Sequence, residues 1–184
     1  MLSAECQLRA GHKQWALALY QTLSQRAGAS AEVAGFEAAK LQVELGQKAE
    51  GLAAFEAVLT RFPSGRLAAE AGFRRCELLI ELKRLPEARA CLERYASTQP
   101  ANTRTAESVF LLATLARIEH RFADAALSYG RSAEFAGPRA EEAAYQQVAC
   151  TALAGSADLD AVIGNYLKRY PTGPHSAEVT KLRR

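Results

Sequence analysis

The sequence is short of the residues that build sheets and of the patterns that build reaction centres. Aromatic residues make up 8% of its 184 positions, tryptophan and methionine occur once each, and the 49% hydrophobic share is dominated by Ala and Leu. Few β-branched side chains beside many strong helix formers argue against strand and for helix. No stretch approaches the roughly 20 apolar residues that a membrane-spanning helix needs. The segment Met1–Ala10 lacks the charged start and apolar centre of an export signal. Leu2-Ser3-Ala4-Glu5-Cys6 does not make a lipoprotein acylation site, because Glu5 stands where a small residue is required. Neither sign of charge dominates. The net charge is +3, the basic residues are interleaved with Glu, and the only basic concentration is Lys181, Arg183 and Arg184, which reads as a solvated tail. Nucleic acid is therefore not an expected partner.

Chemistry is equally sparse. The four cysteines, Cys6, Cys76, Cys91 and Cys150, show no C-x-x-C spacing, which disfavours a zinc site or a redox pair. They read as small core residues. A Cys76–Cys91 disulfide across one hairpin is the alternative, but the helical register places Cys91 nearer to Phe73 than to Cys76. The redox compartment stays open. His12, His120 and His175 are far apart, and no H-E-x-x-H, phosphate loop or G-x-S-x-G elbow is present. Adjacent acids such as Glu141-Glu142 point in different directions from a helix and do not converge. The expectation is a chain without catalytic residues, metal or cofactor.

What the sequence does have is a repeat. Gly46, Lys83 and His120 stand 37 residues apart, and Gly155 follows after 35, each at the turn of a predicted helical hairpin. A small residue follows each of the first three turns, Gly51, Ala88 and Ala125, and permits the two helices to approach within about 8–10 Å. Phe55, Leu92 and Tyr129 come four residues later, on the same face, and can fill the gap. Upstream, an aromatic ladder of Phe36, Phe73, Phe110 and Tyr145 keeps the same period. Pro63, Pro100, Pro138 and Pro171 punctuate the junctions between hairpins, while Pro86 fits the first turn of a helix, where its missing N–H has no intrahelical partner.

A glycine at the hairpin turn, a small residue opening the second helix, an aromatic four residues on and a closing proline, as in Gly46, Gly51, Phe55 and Pro63, resemble the tetratricopeptide repeat family. The period of 37 departs from that family's 34. Arg61-Phe62-Pro63-Ser64-Gly65 and Arg169-Tyr170-Pro171-Thr172-Gly173, 108 residues apart, resemble the linkers of bacterial envelope tetratricopeptide proteins. The resemblance implies an all-α, right-handed superhelical solenoid of about five antiparallel hairpins, over residues 2–26, 31–62, 66–97, 103–135 and 138–170, with a capping helix over 174–184 in a single repeat domain. Trp15, in the N-terminal hairpin with Leu8, Gly11, Ala16 and Tyr20, is expected to pack against the second hairpin, with exposure toward a partner as the alternative.

The resemblance also implies a protein–protein interaction scaffold whose first helices line a groove for a partner's peptide or helix. The positions that correspond are Phe36, Glu37 and Lys40, then Phe73, Arg74 and Glu77, then Phe110, Thr114 and Arg117, then Tyr145 and Gln146. The alternative is that the aromatics pack between neighbouring hairpins. The basic and Asn arrangement that clamps chaperone carboxyl termini is not reproduced. Two other roles remain open, a self-associating structural module and an accessory domain of a longer enzyme or regulator. A periplasmic or envelope location follows if the chain is part of an exported protein, and a cytoplasmic one otherwise.

Overall fold

The computed structural model describes residues 1–183, and these form eleven helices and no strand. Ten pair into antiparallel hairpins: α1 (Leu2–Arg9) with α2 (Lys13–Ser24), α3 (Ala29–Glu44) with α4 (Lys48–Arg61), α5 (Ala68–Glu81) with α6 (Leu85–Thr98), α7 (Thr103–Ile118) with α8 (Phe122–Glu134), and α9 (Ala140–Leu153) with α10 (Leu159–Arg169). The short α11 (Ser176–Lys181) follows. The chain packs as two compact units, Met1–Cys91 and Leu92 onward, with the division inside α6.

Each hairpin turns by one device. At Gly46 the chain enters the left-handed region (φ +82°), which lets the Gly46 N–H reach Val43 O and the Gln47 N–H reach Gln42 O, closing two carbonyls that the helix end would leave open. The same pair of bonds recurs at Gly11, Lys83, His120 and Gly155, all with positive φ. Lys83 (φ 58°) and His120 (φ 59°) hold this conformation despite carrying a Cβ, which costs on the order of 1 kcal/mol each relative to glycine. Beyond the turn, a Cβ on Gly51 would lie 2.6 Å from Val43 Cγ2, so a side chain there would push α3 and α4 apart. Ala88 and Ala125, one and two hairpins later, have no exposed surface.

In the first unit Ala4, Ala16, Leu17, Tyr20, Ala34, Ala38 and Leu41 form one core cluster. In the second, Phe110, Tyr129, Val148, Ile163, Tyr166 and Val179 anchor another. Trp15 does not join the first core. It is 73% exposed, and Leu2 is 80% exposed, because α2 turns Ala16, Leu17 and Tyr20 inward and leaves the face before them bare.

The two copies of the Arg-aromatic-Pro-small-Gly linker build one kind of joint. In the first, the buried Glu32 of α3 accepts the Leu67 N–H at 2.6 Å, and Gly65 leaves the space its carboxylate occupies. Arg61 donates to Ser24 O and Arg26 O at 2.5 Å each, tying down the end of α2. In the second, Glu141 of α9 accepts from the Tyr166 hydroxyl and lies 3.2 Å from where a Cβ on Gly173 would be. The intervening junction at Pro100 is closed differently: Asn102 Oδ1 caps α7 by accepting the Arg104 and Thr105 N–H groups at 2.8 and 3.0 Å.

Cys76 and Cys91 form a disulfide between α5 and α6, with Cα atoms 5.5 Å apart. This corrects the register expected above, in which Cys91 approached Phe73. The two cysteines stand at nearly equal distances in sequence from the turn at Lys83, and antiparallel helices joined by a short turn bring equidistant residues face to face. Cys6 is free and exposed, and Cys150 is free and buried.

Candidate peptide-binding site

The ladder residues are spent on packing. Phe36 is 6% exposed, Phe73 0% and Phe110 8%, so none of the three offers a phenyl face as an anchor for a partner. Phe36 meets Phe55 edge to face with ring centres 5.6 Å apart, and Phe110 meets Tyr129 in the same way at 5.1 Å. The Arg139 guanidinium covers the Phe110 ring at 4.9 Å. Tyr145, half-buried, stacks on His175 at 3.9 Å and donates its hydroxyl to Glu178 at 2.7 Å, which docks α11 against α9. That hydrogen bond and burial hold the tyrosine's pKa above its ordinary value.

The charged members stay at the surface, and in the first unit they converge. Lys40, Val43 and Glu44 from α3 and Arg74, Glu77, Leu78 and Glu81 from α5 line a cavity of about 250 Å³ with Phe55 at its base. The 37-residue period explains the convergence, since Lys40 and Glu77, and Glu44 and Glu81, occupy equivalent places on successive first helices. Arg117, in the second unit, is exposed at the end of α7.

Ion pairs set the electrostatics of this cavity. Lys40 pairs with Glu37 at 3.0 Å, and Arg74 bridges Glu70 at 2.9 Å and Glu77 at 3.0 Å along one helix face. Glu44 and Glu81 are engaged from the second helix of the preceding hairpin by Lys13 (2.8 Å) and Lys48 (2.9 Å), a pairing that repeats with the hairpins. Each pair is partly solvated and contributes at most about 1 kcal/mol to folding, so a ligand can exchange partners with these groups at little cost. No group of His, Cys, Asp and Glu among the described residues is arranged to hold a metal ion. No described helix is long and apolar enough to cross a membrane.

No protein-family model matches the chain, and no curated protein sequence does. Solved structures do. The C-terminal part of a TPR repeat-containing protein from Cytophaga hutchinsonii superposes with a TM-score of 0.73 at 11% identity, over 97% of this chain and 70% of that one. MamA from residue 41 onward, from Desulfovibrio magneticus RS-1, gives 0.68 at 15% identity over 94% and 92%. BtubC from P. vanneervenii gives 0.69 at 13% identity over 93% and 78%. At these identities the likeness concerns the fold, which is that of a tetratricopeptide-like helical solenoid.

Proposed function

We propose that this protein is a non-catalytic interaction scaffold that binds a peptide or helix of a partner protein on the face formed by the first helices of its hairpins. The observation that carries the reading is the cavity between α3 and α5, where Lys40, Arg74 and Glu77 surround an apolar base of Phe55 and Leu78. Such a surface suits a partner with one apolar anchor flanked by both signs of charge. The Cys76–Cys91 disulfide favours an oxidising compartment, in keeping with a periplasmic or envelope assembly. The test is capture from a native envelope extract by the wild type beside a Lys40→Glu, Arg74→Glu variant, after circular dichroism has established equal helix content. A partner held by the wild type and released by the variant supports the reading; equal capture refutes it.

Self-association is a second reading, favoured by the exposure of Trp15 and Leu2 on the N-terminal hairpin. Sedimentation equilibrium of the wild type and Trp15→Ser separates the two, because only self-association makes the mass fall with that substitution.

A further inference from the structure

We draw no further inference here: the strongest candidate, the apolar surface of the second unit where Ile118 ends α7 and Leu153 ends α9, 56% and 62% exposed, has nothing in the structure to show what covers it.

Discussion

Reducing the Cys76–Cys91 bond isolates one term of the stability of the first unit. The two cysteines are 15 residues apart, and both ends of the loop they close lie within Met1–Cys91. In the chain-entropy description, a loop of that length restricts the unfolded ensemble by about 3 kcal/mol at 25 °C. The crossing helices meet whether or not the sulfurs are bonded, since Phe73, Cys76 and Ala88 are all buried there. The reduced protein should therefore remain helical and lose most of that 3 kcal/mol, seen as a fall of the melting temperature on the order of 10 °C. The assay is urea and thermal unfolding followed by circular dichroism at 222 nm on one preparation, refolded in air and measured with and without reductant. Thiol titration provides the accompanying count: one reactive thiol in the native oxidised protein, from exposed Cys6, two in denaturant when Cys150 is released, and four after reduction. Equal unfolding midpoints in the two redox states, or four thiols in denaturant without reductant, would refute the reasoning.

Other outcomes follow from the turns, the joints and the buried acids. Lys83→Gly and His120→Gly relieve a left-handed conformation at a residue with a Cβ, and each should raise the unfolding free energy by about 0.5–1 kcal/mol in urea titration; a loss of stability would show that the turn geometry is misread. Gly65→Ala drives a Cβ into the Glu32 carboxylate and should cost about 1–2 kcal/mol, mostly recovered in a Glu32→Ala background, which a double-mutant cycle measures. Alkaline pH should destabilise the protein. Burial raises the pKa of Cys150 above 9.0, and of Tyr20 and Tyr166 above 10.0, while Tyr145 is raised chiefly by its hydrogen bond to Glu178. Because the folded state holds these protons more tightly than the unfolded one, their contribution is complete below about pH 9 and is lost as pH rises past 9–10 through the higher folded values; a flat melting temperature from pH 8 to 11 would contradict this.

The turns were legible because a helix end needs a particular backbone, and the sequence repeats the residues that adopt it. Gly46, Lys83, His120 and Gly155, located by spacing alone, all have positive φ. The ladder of Phe36, Phe73 and Phe110 was legible as a period but not as a surface. A residue that recurs once per hairpin is fixed on one side of the first helix, and in an array both sides of that helix meet other helices, so periodicity cannot say which one holds a ligand. The charged positions Lys40, Arg74 and Glu77 kept their exposure because desolvating them would go unrewarded. Trp15 was misjudged because size and hydrophobicity suggest burial, yet the face it occupies has no neighbour within its unit. The Glu32–Gly65 contact was missed because its two halves lie about 30 residues apart with no local pattern between them. The signal was nonetheless present, since Glu32 and Glu141 recur almost in step with Arg61 and Arg169.

That last recurrence gives the joint a use in reading other chains. An acid on a first helix, followed 28 or 29 residues later by Arg, an aromatic ring, proline, a hydroxyl residue and glycine, is a long-range word whose spelling is dictated by a carboxylate needing room beside a glycine and a hydrogen-bond donor, a backbone N–H in one copy and a tyrosine hydroxyl in the other. Consensus patterns written residue by residue within a single 34-residue repeat have no place to record such a word, because its first letter belongs to the beginning of one hairpin and its last to the doorway of the next. A search phrased in those two halves would find hairpin arrays of stretched period by the lock between consecutive members, where the members themselves have diverged past recognition.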